Sequence, residues 1–300
     1  MAFVKNDVNY AQQYSQELSQ QFPYVLYFGA LYATPANGRY RFVNARTIEV
    51  PTLSVSGRKD SSRDSVQAAA RRYNNTWTPL ALANERQWDT LVHPADIDET
   101  NMVASIANIT RVFNEEQKFP EMDAYTISKI YADYVAASKS ADTTAITVEN
   151  VLTVFDTLLQ GMVEKRVPKA GLILYVTPAV NTLLKNAQGI TRQLAVGPQR
   201  AIIERAIASL DEVQIEEVPS DLMKTVYDFT EGWTPAGSAK QINMFLVNPQ
   251  AVITPVSYEF ATLDQPSAVT GGKYYYYEES HEDVFLLPNK QDAVAFNITA

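Results

Sequence analysis

Near the start of the chain, apolar and small residues recur at helical intervals. Val8, Ala11, Tyr14, Ser15 and Leu18 follow Asn6 and Asp7, either of which can cap, and Phe22-Pro23 stops the run. Short of apolar positions, this arm needs another surface to lie on. Over residues 39–56 the period changes to two. Tyr40, Phe42, Ile48, Val50, Leu53 and Val55 predict a strand that reaches an exposed polar tip at 56–62, with a return limb over 66–77. Residues 88–94 read as a further short strand. Asp96, Asp98 and Glu99 then stand where carboxylates complement the positive end of a following helix, whose apolar positions are Met102, Val103, Ile106, Ile109, Val112 and Phe113. That helix is expected to end before Pro120. A second opens at Pro120-Glu121-Met122-Asp123 and carries Tyr125, Ile127, Ile130, Tyr131 and Tyr134.

Over 147–167, Val148, Val151, Leu152, Phe155, Leu158, Leu159 and Met162 predict an amphipathic helix capped by Thr147. A buried strand is expected over 171–176 and a short helix over 178–187, with Pro178 near its first position and Gly189 beyond its end. Strands follow around Val213, Ile215 and Val218, and over 242–247. This interleaving describes a compact α/β unit over about 147–258. Strands at 273–278, 284–287 and 293–298 close the chain, with turns at Gly271-Gly272 and Pro288-Asn289-Lys290. The four tyrosines Tyr274, Tyr275, Tyr276 and Tyr277 alternate faces of one strand, which is ordinary sheet packing with hydroxyls at the rim.

Composition narrows what these elements can do. Three hundred residues, 46% hydrophobic and 20% charged, can bury a sizeable core. The absence of Cys excludes disulfides, thiolate metal sites and Cys nucleophiles, and two His leave little material for metal sites or His-based triads. No continuous apolar targeting core stands at the start, and the longest nearly apolar run, 24–33, is half of the roughly 20 residues a membrane helix needs. The expectation is residence in a cytoplasm-like space, with no membrane and no cofactor.

A search for chemistry finds little. His93 precedes Pro94 at a strand end and reads as a rim residue, and His281-Glu282-Asp283 reads as an exposed polar turn. No Gly-x-Ser-x-Gly elbow exists. Gly271-Gly272-Lys273 lacks the upstream Gly and following helix of a phosphate loop, and 96–101 lacks the central Gly and distal Glu of a calcium loop. Arg71 and Arg72 beside Tyr73 and Trp77 could stack on single-stranded nucleic acid, but a net charge of −9 favours a protein partner.

Charge is distributed unevenly. Residues 36–73 carry eight basic residues against three acidic ones, a balance of +5, whereas 96–123 carries seven acidic residues and only Arg111 and Lys118, a balance of −5. A charged extension, a dependent arm and an acidic receiving surface fit a chain that binds copies of itself.

The run Val92-His93-Pro94-Ala95-Asp96-Ile97-Asp98-Glu99-Thr100-Asn101 resembles the major capsid proteins of tailed bacteriophages. So do its continuation through Ala104-Ser105-Ile106-Ala107-Asn108-Ile109-Thr110-Arg111-Val112-Phe113 and the run Pro120-Glu121-Met122-Asp123-Ala124-Tyr125. The order of elements fits as well. The resemblance implies an α+β, Hong Kong 97-type fold: an N-terminal arm (1–35), an extended loop called the E-loop (36–80), a peripheral domain with a long spine helix (81–146), an axial domain (147–258) and strands returning to the peripheral domain (259–300).

It further implies a non-enzymatic shell subunit that assembles into pentamers and hexamers around double-stranded DNA without gripping it. A separate scaffolding protein or none, a portal and head-completion proteins would be its partners, with assembly in the host bacterial cytoplasm and residence in the virion. The family lays each E-loop over a neighbour's peripheral domain, so Arg39, Arg41, Arg46, Arg58, Lys59 and Arg63 are expected to pair across subunits with Asp98, Glu115, Glu116, Glu121 and Asp123. Lys59 is the only tip lysine that could form the isopeptide crosslink some relatives make. Two other readings stay open: an encapsulin-type nanocompartment shell, and a carboxylate-based hydrolase using the 96–99 cluster with Asp98 and Glu99.

Overall fold

A computed structural model describes residues 24–58, 60, 71–99, 105–187, 195–196, 201–202 and 207–300. The expected arm helix over 6–18 lies outside the described residues, as do Lys59, Arg63, Met102, Val103 and Gly189. The period-two stretch forms two strands, β1 (Arg41–Asn44) and β2 (Thr47–Val55), and the return limb is β3 (Tyr73–Ala81). β2 and β3 pair antiparallel from Thr47–Ala81 to Val55–Tyr73, making a long hairpin. β4 (Glu85–Val92) follows directly.

The acidic run is not placed ahead of a helix but inside one, α1 (Pro94–Glu99). His93 provides its cap, with Nδ1 accepting the Ala95 N–H at 3.1 Å. Beyond it, α2 (Ile106–Phe113) does not end before Pro120. Through a π-helical segment, Asn114–Lys118, it continues without a break into α3 (Phe119–Ala136). The Phe119 N–H donates to the Asn114 carbonyl, five residues back. This wider turn accommodates the ring of Pro120 where an α-helix would clash with the carbonyl four residues earlier. The result is one rod about 45 Å long, at 1.5 Å per residue.

α4 (Val151–Glu164) buries Val151, Val154, Phe155, Leu158, Leu159 and Met162, as its spacing predicts. Thr147 does not cap it through its hydroxyl. The Thr147 carbonyl accepts the Val151 N–H, and its N–H donates to Asn150 Oδ1 at 2.7 Å, because the chain turns once before the helix begins.

β5 (Ile173–Val176), α5 (Pro178–Asn186), β6 (Ser209–Leu210), β7 (Val213–Glu217) and β8 (Ile242–Val247) build the α/β unit. Toward the end of the chain run β9 (Val252–Ile253), β10 (Val256–Asp264), β11 (Tyr274–Glu282), β12 (Phe285–Leu286) and β13 (Val294–Ile298). One sheet has the order β13-β8-β5-β7-β6, with β5 and β7 parallel, and a second has the order β10-β11-β4. The pairing therefore divides 259–300: β11 joins β4, whereas β13 joins β8. β10 was not anticipated.

Both faces of β5 and β8 are covered, which is why they read as unbroken apolar runs. Phe245 stacks on Phe296 at 4.7 Å, and Phe28 meets Tyr175 edge-on at 4.7 Å. Each such buried ring contributes roughly 1.5–3 kcal/mol from apolar burial. A second, smaller core of Ile48, Val50, Leu82, Ile253, Phe285 and Leu287 holds the base of the hairpin.

Candidate assembly surfaces

The sheet β10-β11-β4 has one face on the helical rod and one face open. Alternation along β4 sends Arg86 and Trp88 toward the rod. Trp88 stacks on Phe113 with centroids 3.9 Å apart and planes within 8°. Arg86 pairs with Glu121 at 2.5 Å and Lys118 with Glu278 at 3.2 Å. Glu121, expected to receive a neighbouring subunit's arginine, is thus held by its own chain. Burial pushes its carboxyl up and Arg86 draws it back down.

Asp123 is a correction of the same kind, and a stronger one. It is fully buried, so it cannot receive a neighbour's arginine. The Tyr24 hydroxyl and the Tyr27 N–H donate to Oδ2, and the Phe28 N–H donates to Oδ1 at 3.1 Å. Its carboxylate therefore fixes residues 24–28 onto α3. Burial raises its pKa to about 6 against the pull of these donors, and the Tyr24 hydroxyl is raised in turn by burial and by Asp123.

His281-Glu282-Asp283 is not an exposed turn either. His281 and Glu282 belong to β11, with His281 Nε2 2.8 Å from Glu279 Oε1. Asp283 is buried and accepts from the Tyr125 hydroxyl and from the N–H groups of Ala83 and Val284. Sequence reasoning missed this pair of structural carboxylates, Asp123 and Asp283, because their donors lie far away along the chain.

The remaining expected acceptors differ. Asp98 is exposed and Glu115 and Glu116 are half-buried, and among the described residues none of the three has an ion-pair partner. Of the expected hairpin bases, Arg41 pairs with Glu49 at 2.9 Å and lies 3.9 Å over the Trp77 ring, while Arg46 pairs with Glu85 at 2.7 Å. Arg39 and Arg58 are exposed without an ion pair among the described residues. Arg39 lies close enough to Lys290 to help burial depress the Lys290 pKa. Arg71 sits 4.6 Å over the Tyr73 ring.

The hairpin has two unlike faces beyond its base. Thr52, Ser54, Asn74, Thr76 and Thr78 share one, and Pro51, Leu53, Val55, Tyr73, Asn75 and Trp77 the other, with Leu53 68% and Val55 73% exposed. Among the described residues no group of His, Asp and Glu is placed to hold a metal ion, and no helix is long and apolar enough to cross a membrane. Asp98 and Glu99 lie exposed on α1.

No family model and no curated protein matches the sequence. Solved structures do match. The mature capsid of bacteriophage PhiM1 aligns at TM-score 0.67 and 11% identity, over 97% of this chain and 92% of that one. The capsid of cyanophage P-SCSP1u gives 0.65 and 10%, over 97% and 93%. A chain of Mycobacterium phage Che8 gives 0.62 and 13%, over 98% of both. At such identities the likeness is one of architecture, and the protein has the Hong Kong 97-type fold of these phage capsid structures.

Proposed function

We propose that this protein is the major capsid protein of a tailed bacteriophage, a non-enzymatic subunit that assembles with itself into the icosahedral head shell around double-stranded DNA. The observation that carries this reading is the likeness to phage capsid chains, which spans almost the whole of both aligned chains. The uncovered hairpin supports it, because a two-stranded ribbon with an exposed apolar face is marginal in water and gains its stability by lying on another surface. On this reading 1–35 is the arm, 36–80 the E-loop, 81–146 with part of 259–300 the peripheral domain, and 147–258 the axial domain.

Arg39, Arg58, Lys59 and Arg63 are the hairpin bases offered to neighbouring subunits, with Asp98, Glu115 and Glu116 among the groups they can meet. Arg41 and Arg46 set the shape of the hairpin through Glu49, Trp77 and Glu85. The net charge of −9 lets packaged DNA slide along the wall. Scaffold, portal and head-completion proteins are the further partners, with assembly in the host cytoplasm and residence in the virion.

The test is to isolate particles formed by the full chain and identify their contents. Nuclease-protected DNA in phage-borne particles supports the head reading. A folded protein cargo in phage-free particles would replace it with an encapsulin-type shell, and a soluble chain with hydrolytic turnover lost on substitution of Asp98 and Glu99 would replace it with an enzyme.

A further inference from the structure

Asn37 is the only asparagine in the chain that precedes a glycine. In that dipeptide an asparagine loses its amide most readily, because the backbone nitrogen of a residue without a Cβ reaches the side-chain carbonyl carbon unhindered. It stands where the chain leaves the core for the hairpin. Pro35–Gly38 forms a single 3-10 turn, and β1 begins shortly after it. Asn37 is half-buried and Gly38 is exposed.

Nothing in the fold demands that glycine. No atom lies within 4 Å of the position a Cβ would take on Gly38, and its φ is outside the left-handed region. A side chain would fit there, so the reactive dipeptide is not a by-product of backbone geometry. The carboxamide of Asn37, by contrast, is fully engaged. Its Nδ2 donates to the Tyr32 carbonyl at 2.8 Å and to Thr254 Oγ1 at 2.9 Å, and its Oδ1 accepts the Thr254 N–H at 2.8 Å. These bonds clamp the turn to the link between β9 and β10, 217 residues away in sequence. Beside the clamp, Ala36 and Ile253 are buried in the small core that holds the base of the hairpin.

Loss of the amide requires a different placement of the same atoms. The Gly38 nitrogen gives up its proton to solvent base and attacks Asn37 Cγ, closing a five-membered succinimide. The Cγ–Nδ2 bond breaks, and the nitrogen leaves as ammonia with a proton from solvent. Water then opens the ring to aspartate or isoaspartate. Swinging Cγ onto the Gly38 nitrogen breaks all three bonds of the clamp.

We propose that Asn37–Gly38 is a deamidation site gated by the Asn37–Thr254 clamp, silent while the base of the hairpin is closed and reactive when it opens. The product cannot rebuild the clamp. A carboxylate at position 37 only accepts hydrogen bonds, so the Tyr32 carbonyl loses its donor and faces a negative charge. The isoaspartyl form also adds a methylene to the main chain just ahead of the hairpin. One opening that runs to completion therefore leaves the base of the hairpin loosened for good. The inference concerns the single chain and stands apart from the shell reading.

The test uses the full chain, unassembled, held at mildly alkaline pH either folded or in urea, with peptide mass spectrometry following conversion at position 37. The folded chain should react about tenfold or more slowly than the unfolded one, since three hydrogen bonds must open together. Thr254→Val deletes one acceptor, keeps the other two bonds and should speed the folded reaction roughly threefold to tenfold with circular dichroism unchanged. Gly38→Ala should suppress the reaction in urea and leave the folded structure unaltered. A folded rate closer than about tenfold to the unfolded rate overturns the gating, as does a Thr254→Val rate equal to that of the unsubstituted chain. A Gly38→Ala chain that reacts in urea as fast as the unsubstituted one overturns the site itself. Asn37→Asp reads the consequence without the reaction. The Arg39 and Leu82 amides, which donate to the Ala36 and Arg46 carbonyls at 3.0 and 2.8 Å, should lose hydrogen-exchange protection. Unchanged protection would contradict the loosening.

Discussion

Asp123 Oδ1 accepts the backbone N–H of Phe28 at 3.1 Å, joining positions 95 residues apart in sequence. With Tyr27 donating to the other oxygen, the carboxylate caps a stretch of chain that has no regular partner of its own. It thereby sets where the N-terminal segment leaves the core, with Phe28 seated against Tyr175 and Phe245.

Asp123→Ala should therefore cost about 2 kcal/mol or more at pH 5, since it strands the buried Phe28 N–H and the part-buried Tyr27 N–H at roughly 1–3 kcal/mol each. Denaturant unfolding followed by Trp fluorescence measures this. A loss below about 1 kcal/mol would mean that the segment re-forms its bonds elsewhere.

The pH dependence has a definite sign. The folded Asp123 pKa, about 6, lies above the ordinary 3.8, so the folded state holds the proton more tightly than the unfolded state. Its contribution is fully present below pH 3.8 and is lost as pH rises through about 6. Protection of the Tyr27 and Phe28 amides against hydrogen exchange, corrected for intrinsic rates, should be greater at pH 5 than at pH 7.5. Asp123→Asn should flatten that difference. An anchor that tightens as pH rises would contradict the assignment.

The π segment sets the phase between two fixed points, Phe113 on Trp88 and Asp123 on Phe28. Deleting Glu116 regularises the backbone but rotates one end against the other by about 100°. Phe113 then leaves Trp88. A stacked ring pair is worth about 1 kcal/mol beyond its burial, so the deletion should lower thermal stability and redden Trp emission. An unchanged melting temperature would show that the wide turn is a local accommodation of Pro120 alone.

Arg41 and Arg58 should separate stability from assembly. Arg41 serves the hairpin itself, through Glu49 and Trp77, and Arg41→Ala should cost about 1 kcal/mol or less, as exposed ion pairs and cation–π contacts do. Arg58→Glu with Lys59→Glu should leave folding unchanged and weaken assembly most at low salt, where screening is least. Light scattering against ionic strength reads this. Assembly and salt dependence equal to those of the unsubstituted chain would remove the tip from the contact.

Much of this architecture was legible because burial leaves a mark on sequence. The apolar runs of β5 and β8, the period of α4 and the alternation of β2 are each dictated by the surface they must cover. β10 was missed because it is held by pairing with β11 and leaves Val256, Tyr258, Phe260 and Leu263 exposed, so no core imposes a pattern on it. Pro120 read as a stop because proline breaks an α-helix, and nothing in the sequence announces a π turn that makes room for it. Two of the expected acceptors, Glu121 and Asp123, were misjudged for a similar reason. Asp123 and Glu121 look like surface carboxylates on a helix until distant Tyr24, Phe28 and Arg86 arrive.

The central claim, that this chain builds a closed shell, is tested most directly by negative-stain electron microscopy with light scattering on the purified full chain, from low to high salt and with or without the phage's own scaffold. The account predicts closed shells, or uniform pentamers and hexamers that close into shells, with assembly dependent on salt. A monomer at high concentration that salt and scaffold leave unchanged would contradict it.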